Sequence, residues 1–451
     1  MLMVDDWYER LDMAAVVGRH KDRGISLDAL VRGMLAYKLG DNFSVLQAGE
    51  WLNRPEVLEH YSLPKFNVKT LYRAVETLGR NRERIVRELQ DRVLKLLDLE
   101  STDVLMDWTS IVYYGDLASL AKYGYSRDHR PDKKQVTLGV AQLAPPVNVP
   151  IAMTIEAGNI NDQAHFRRTY DQVRNVLDDR SLVVFDKGAN DKKNLENIVL
   201  DRNDYLTSKK LNASDDAVFQ AFSSNAWERI DDGVHALKKI FPSRVNYYFF
   251  SEKLKSEHLA SRRRKAERLL AEAMMIQQSL DDGKRLPKRF RINNPLVDVR
   301  YDYQTKLAAM DEEAALRLLF DEVIDGREGC FCLTSSRDMP AKEALRIYRS
   351  KDAVEKLFHS LKSEVEVKPI RVWSDDAVYG VLLLGFIAQL MISLTRYFVS
   401  PVKTVSTKFI AASLQNLTVT VVPMESGGNR RFYSNFDPLN RAILTGFLAE
   451  T

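Results

Sequence analysis

The sequence predicts an α/β protein in which a mixed sheet with helices on its faces is interrupted by an inserted domain and preceded by an all-helical N-terminal domain. Three features predict this. Residues up to about 100 place apolar side chains at helical spacing, residues from Asp103 to about 208 alternate short apolar runs with helical ones, and between 209 and 339 that alternation is lost. The expected boundaries are 1–100 for the helical domain, 101–208 with 340–398 for the sheet domain, 209–339 for the insertion and 399–451 for a C-terminal region.

Taken in order, Leu27, Leu30, Val31, Met34 and Leu35 form one apolar helical stripe, and the stretch from Val68 to Leu97 forms another, with Asn67 and Thr70 as candidate caps. Lys69, Arg73, Arg80, Arg82, Arg84 and Arg87 make that second stretch basic, which suits either phosphate contact or a solvated face. Strands are expected at Val104–Met106, Gln135–Leu143 and Val149–Ile155. A helix over Phe166–Leu177, a strand at Leu182–Phe185, a helix near Leu195–Leu200 and a strand at Asp204–Thr207 follow. Three neighbouring strands, then helix, strand, helix, strand, resembles the order of a ribonuclease H-like sheet. Beyond it lie a charged helix from Ser251 to Asp281, a basic turn from Lys284 to Arg291 and short strands such as Val297–Tyr303. A single long helix is expected from about Ala341 to Glu366. The chain then offers an apolar helix, a strand at Leu417–Val422 and a last helix near Leu439.

Composition sets bounds on partners and compartment. The 451 residues are 45% hydrophobic and 28% charged, which is ordinary globular usage and not that of a disordered chain. A net charge of +4 permits nucleic acid as a partner without demanding it. The two cysteines, Cys330 and Cys332, alternate along an apolar run with no second pair to complete a zinc site, so they read as reduced structural thiols. Asp5 and Asp6 stand where an export signal would be basic, and a cytoplasmic protein is expected. The eighteen mostly apolar residues from Ala377 to Leu394 approach the length of a membrane span, but Gln389, Ser393 and two glycines favour a buried core helix, with no membrane partner.

Two carboxylates end two expected strands: Asp107 after Val104-Leu-Met and Asp186 after Leu182-Val-Val-Phe. A pair of acids facing one cleft would repel unless a cation lay between them, although aspartate at a strand end is also common in turns. Further along, Tyr348, Lys351, Glu355 and Lys362 lie at offsets of 0, 3, 7 and 14 residues. On one continuous helix these fall within roughly 60° of arc. That face would bring together a hydroxyl, two cations suited to phosphate and a carboxylate suited to a hard divalent metal. A solvated charged face gives the same spacing.

With these residues in view, the sequence resembles the DDE transposases of bacterial insertion sequences, in particular the group marked by Tyr-x2-Arg-x3-Glu-x6-Lys. Tyr348, Lys351, Glu355 and Lys362 match that spacing throughout, with lysine in place of the usual arginine, which keeps the charge but gives up a bidentate phosphate grip. Asp107-Trp-Thr109 resembles the family's first Asp-x-Thr, and the block from Tyr123 to Val136 its lead into the second strand. Gly158-Asn-Ile-Asn-Asp162 resembles its Gly-Asn-x-x-Asp turn, and Asp186-Lys-Gly188 its second catalytic position. The resemblance implies that Asp107, Asp186 and Glu355 are catalytic and hold two Mg²⁺ ions, with Mn²⁺ able to substitute. Ions about 3.5–4 Å apart would activate water on one side of a phosphate and stabilise the departing oxygen on the other.

The resemblance further implies cleavage of double-stranded DNA at inverted-repeat ends and joining of the freed 3′-hydroxyl to target DNA. It implies a homodimer in the synaptic complex, association with the bacterial nucleoid when bound to DNA, end recognition by the N-terminal helices and a synapsis role for the C-terminal region. A ribonuclease H-like endonuclease without strand transfer and a catalytically inactive DNA-binding protein are the alternatives. Trp227, the only tryptophan of the insertion, is the candidate for stacking on a flipped base, with a core role as the competing reading. Arg262, Arg263 and Arg264, and Lys288 and Arg289 in the basic turn, are candidate DNA-backbone contacts, with solvated surface as the alternative. Asp162 and Asp191 are expected at a turn or helix cap and a helix start, outside the site, and no histidine, His129 included, is expected to bind metal.

Overall fold

The computed structural model describes residues 1–21, 23–40, 44–220, 227–284, 293–294, 297–298, 310–368, 370–424 and 429–448. The chain divides into two compact units, Met1–Tyr205 with Ile347–Thr451, and Leu206–Arg346.

The first unit opens with helices α1 (Leu2–Arg10), α2 (Met13–Gly18), α3 (Leu27–Gly40), α4 (Val45–Leu52), α5 (Pro55–His60), α6 (Lys69–Arg80) and α7 (Arg82–Leu96). Helix α4 starts at a capping box in which Ser44 and Gln47 satisfy each other's backbone N–H groups. Asn67 Oδ1 accepts the Lys69 N–H at 3.0 Å where α6 begins, and the stripe expected from Val68 to Leu97 is cut at Asn81 into two helices. Strands β1 (Val104–Val112), β2 (Gln135–Leu143) and β3 (Pro150–Ala157), helix α8 (Asp162–Val173), strand β4 (Leu182–Phe185) and helix α9 (Lys192–Leu200) follow. The strand order is β3-β2-β1-β4, with β1–β2 and β2–β3 antiparallel and β1–β4 parallel. Every residue of β2 is buried, the polar Gln135, Thr137 and Gln142 included, so both faces of the strand are covered.

The second unit takes up the chain in β5 (Asp204–Lys209) and continues through α10 (Ala213–Gln220), β6 (Glu228–Asp231), β7 (Val234–Phe241), β8 (Arg244–Ser251) and α11 (Glu252–Asp281). The short strands β9 (Asn293–Asn294) and β10 (Val297–Asp298), helix α12 (Glu312–Val323) and strand β11 (Cys330–Ser335) complete it. Its strand order is β5-β11-β8-β7-β6, antiparallel where β11 meets β5 and β8 and from β8 through to β6. Ala266, Leu269, Leu270 and Ala273 of α11 pack on Ala315, Leu319 and Val323 of α12. Cys332 is buried against Val218 and Tyr248, and burial pushes the thiols of Cys330 and Cys332 up to about 11 and 12, which suits inert structural cysteines.

Helix α13 (Ala341–Arg349) leads back to the first unit, which continues through α14 (Asp352–His359), a π-helical turn at Ser360–Glu364, and α15 (Asp375–Phe398). Helix α16 (Thr407–Asn416), the hairpin β12 (Thr418–Pro423) with β13 (Asn429–Ser434), and α17 (Pro438–Leu448) end it. Helix α15 is long and apolar enough to cross a membrane, yet 89% of its most apolar window is buried within the protein. It packs on α6, α3 and β3. The crossing with α6 is closed by two glycines: a Cβ on Gly79 would lie 1.8 Å from the Asp376 carbonyl oxygen, and one on Gly380 2.0 Å from that of Val75. Trp7 Nε1 of α1 donates to Thr395 Oγ1 of α15 at 2.7 Å. The N-terminal helices, expected as a domain apart, therefore share one compact unit with the sheet, because α15 buries its apolar surface against them.

Candidate active site

Strand β1 is longer than expected. Asp107 lies inside it, paired opposite Val140, because Trp108 to Val112 continue the ladder with β2. Asp186 follows the last residue of β4 and leads into a 3₁₀ turn at Lys187–Ala189. In the parallel pairing of β1 with β4, Leu105 is opposite Val184, so Asp107 and Asp186, two residues further along each strand, come side by side on one face. Both line a cleft of about 290 Å³ together with Thr109, Arg127, Asp162, Lys351 and Glu355.

Charge in that cleft is shared around one ammonium. Lys351 is buried, with Nζ 3.8 Å from Asp107 Oδ2. Burial pushes the Asp107 carboxyl above the usual range, and the neighbouring Asp186 adds to this, against the pull of Lys351, the Trp108 N–H and Arg127. For Asp186 burial acts the same way, but Lys351, the Lys187 N–H and the Tyr348 hydroxyl together hold it below the usual range. The Tyr348 hydroxyl donates to Asp186 Oδ1 at 2.9 Å. The pair thus divides into a carboxylate held ionised and a neighbour pushed toward its neutral form, the expected outcome for two acids sharing one countercharge.

Glu355 stands in the first turn of α14, where the helix dipole favours an acid, and it reaches the cleft from the exposed side. Among the described residues no group of three or more histidine, cysteine, aspartate or glutamate side chains is drawn closely enough together to hold a metal ion. The donor set is nonetheless all oxygen, the preference of Mg²⁺ and Mn²⁺, and the two adjacent aspartates already require a cation, a need met by Lys351.

Residues 98–391 match the family model of the transposase DDE domain. The chain belongs to that family. As a DDE-domain transposase it is also similar in structure to a piggyBac transposase seen in a synaptic complex with hairpin DNA. The TM-score is 0.44 and the identity 10%, over 92% of this chain and 77% of that one. No curated protein matches it in sequence.

Tyr348, Lys351, Glu355 and Lys362 of this transposase do not all share one helical face. The expected single helix from Ala341 to Glu366 is instead α13, a tight turn at Ser350–Lys351, α14 and the π-helical turn. At the break the Ser350 hydroxyl bonds the Ile347 carbonyl at 2.6 Å, and the Ser350 and Lys351 N–H groups bond carbonyls three residues back, which tightens the turn. Tyr348 and Lys351 reach the aspartates across that break. The wide π-helical turn carries Lys362 elsewhere, to Asp128, with Nζ 3.0 Å from Oδ1 and a second lysine, Lys368, at 3.4 Å. Burial lowers the Lys362 ammonium, against the pull of Asp128.

Two cleft residues escaped the sequence reading. Asp162, expected at a turn or cap, begins α8, while the cap is made by Asn161, whose side chain accepts the Ala164 N–H. Its carboxylate pairs with Arg127 at 2.7 Å, and Gly188 makes room for it, since a Cβ there would lie 2.5 Å from Asp162 Oδ2. The glycine of Asp186-Lys-Gly188 was the available signal. Of the outlying candidates, Trp227 is half-buried and packs on Phe219, their rings 5.9 Å apart, beside Tyr248 and Leu237. Arg262 is ion-paired with Asp325 at 2.8 Å and Arg263 with Glu267 at 3.3 Å, and Arg264 lies on the same helix, α11. Lys288 and Arg289 lie outside the described residues.

Proposed function

We propose that this transposase cuts DNA at the inverted-repeat ends of a bacterial mobile element and joins the freed 3′-hydroxyl to target DNA, with Asp107, Asp186 and Glu355 as its catalytic, metal-binding carboxylates. The observation that carries the reading is the cleft itself: two aspartates fixed side by side by parallel strands, with Glu355 and a buried lysine facing them from separate helical turns. The order β3-β2-β1-β4 with a parallel β1–β4 pair supports a ribonuclease H-like sheet, and the order of Tyr348, Lys351, Glu355 and Lys362 supports the Tyr-x2-Arg-x3-Glu-x6-Lys group.

The chain's own residues prepare the site. Tyr348 fixes the Asp186 carboxylate in its ionised form, and Lys351 keeps two acids folded into one cleft by compensating their charge. Asp107, Asp186 and Glu355 would hold two Mg²⁺ or Mn²⁺ ions, which would supply Lewis-acid activation of water and stabilise the leaving 3′-oxygen. Lys351 and Arg127, the latter held at the cleft wall by Asp162, are the cations available to meet the phosphate. Water or a 3′-hydroxyl can serve as nucleophile at the same place, so cutting and joining need one site and no covalent enzyme intermediate. The DNA partners are the element ends and the target, bound by a homodimer at the bacterial nucleoid.

The test incubates purified protein and Mg²⁺ with a labelled element end and a target plasmid. Joined products are expected. Single Asp107→Ala, Asp186→Ala and Glu355→Ala changes are expected to abolish cutting and joining while sparing binding of the end. Nicks without joining would support an endonuclease instead, and cutting retained by any one variant would remove that residue from the site.

A further inference from the structure

We infer that the aromatic and cationic rim beyond the C-terminal end of β1 binds single-stranded DNA, with Trp373 stacking on an unpaired base. This rests on the reading that the adjacent cleft acts on DNA. Trp373 is 76% exposed although its backbone is fixed on both sides. Before it, Ile370 bridges Tyr113, the Tyr114 N–H bonds the Ile370 carbonyl at 2.8 Å, and the Tyr113 hydroxyl donates to the Val372 carbonyl at 2.9 Å. After it, Ser374 caps α15 by accepting the Ala377 N–H at 3.1 Å. A large aromatic side chain normally recovers its exposed area by packing, and here an ordered backbone holds one out in solvent.

Cations lie along this rim among acids that already have partners: Asp132 holds Arg130, Asp375 accepts the Leu120 N–H, Asp376 pairs with Arg80, and Glu76 accepts from Ser374. The Tyr114 ring gathers Lys133 at 5.3 Å and Arg371 at 5.9 Å, and Arg130 donates to the Tyr114 hydroxyl at 3.2 Å. Arg371 is two residues from Trp373, at most about 7 Å of chain, and Arg130 is three residues from Arg127 in the cleft wall, at most about 11 Å. Tyr125, on the same loop as Arg127, is 84% exposed. Cations spaced along a surface track a phosphate backbone, and aromatic faces among them stack on bases. A fully paired duplex keeps its base faces covered, so such a rim discriminates in favour of DNA whose bases are already apart.

The probes are a twenty-nucleotide oligo(dT) and a blunt duplex of twenty base pairs, each titrated without divalent metal into the full-length protein, read by tryptophan fluorescence and by anisotropy. Oligo(dT) is expected to quench the tryptophan emission. Trp373→Ala is expected to abolish that quenching and weaken oligo(dT) binding by roughly ten-fold or more, while duplex affinity stays within about two-fold; Trp373→Phe is expected to keep most of the affinity. Unchanged oligo(dT) affinity in Trp373→Ala, or an equal loss for both DNAs, would overturn the inference. Because these titrations read binding alone, a missing Trp373 effect beside intact cleavage sinks only the rim. An intact effect without cleavage sinks only the proposed reaction.

Discussion

Lys351→Met tests how the cleft is held together. The ammonium and Asp107 are 3.8 Å apart and both well shielded from solvent, so their attraction at an effective dielectric near 20 is about 4 kcal/mol. Methionine keeps the unbranched stem and removes the charge, which leaves Asp107 and Asp186 facing each other uncompensated. Part of that loss is offset, because the variant no longer buries an ammonium and because a carboxylate can take up a proton, so the net cost is about 3 kcal/mol at pH 7. At about 1.5 °C per kcal/mol for a unit of this size, the melting temperature falls by roughly 4–5 °C in differential scanning fluorimetry. The pH dependence has a definite sign. Asp107 is already raised in the folded protein by burial, and removing Lys351 raises it further, so the deficit is absent where Asp107 is protonated in both folded and unfolded chains. It opens as pH rises through the folded values. Bound as proposed, Mg²⁺ would supply the missing charge and should recover more melting temperature in the variant than in the parent. A deficit as large at pH 4 as at pH 7, or a variant indifferent to Mg²⁺, would refute the charge-sharing account and leave only a packing defect.

The remaining predictions concern the supports of the site. Asp128→Asn strips Lys362 of its partner at 3.0 Å and should cost about 2 kcal/mol by chemical denaturation, most of it regained in the Asp128→Asn, Lys362→Met double variant; additive losses would show that the two do not interact. Gly79→Ala drives a methyl group onto the Asp376 carbonyl and should cost more than about 3 kcal/mol, and a melting temperature equal to the parent's would show that the α6–α15 crossing is looser than described. In α1, Asp5 is held below the usual carboxylate range: burial opposes this, but bonds from His60 and from Arg32 at 2.6 Å prevail. Its contribution is therefore present above the ordinary carboxylate value and lost as pH falls through the folded one. Arg32→Met should cost about 1–2 kcal/mol at pH 7 and progressively less below about pH 4 in acid-unfolding curves.

Much of the sheet was legible because its elements are written in local chemistry. Strand β2 occupies Gln135–Leu143 and β4 occupies Leu182–Phe185, as their short apolar-rich runs between turn residues indicate. The end of β1 was not legible at Asp107, since an acid inside a strand reads locally as punctuation, and only the full ladder with β2 carries the strand on to Val112. The Ser350–Lys351 break was likewise hidden. A serine within a helical pattern is tolerated in most helices, and its decision to bond the Ile347 carbonyl depends on where Tyr348 and Lys351 must point. Partners distant in sequence were least legible of all: Lys362 with Asp128 and Arg127 with Asp162 belong to no shared periodicity.

The break and the π-helical turn explain why the spacing of Tyr348, Lys351, Glu355 and Lys362 and their geometry part company. A straight helix would place Tyr348, Lys351, Glu355 and Lys362 in one row and bring two lysines to the same two aspartates. With the helix broken before Glu355, Lys351 turns inward to the carboxylates while Glu355 approaches from the exposed side of the next helix. With the turn widened after it, Lys362 is delivered to a second carboxylate, Asp128, on the loop that also carries Arg127. Lysine at position 351 fits this division better than arginine would. A compact ammonium can sit between two carboxylates in a narrow space, whereas a planar guanidinium would have to commit its fork to one of them. Lysine at this position therefore does more than bring a positive charge to the cleft, because it also offsets the repulsion between Asp107 and Asp186.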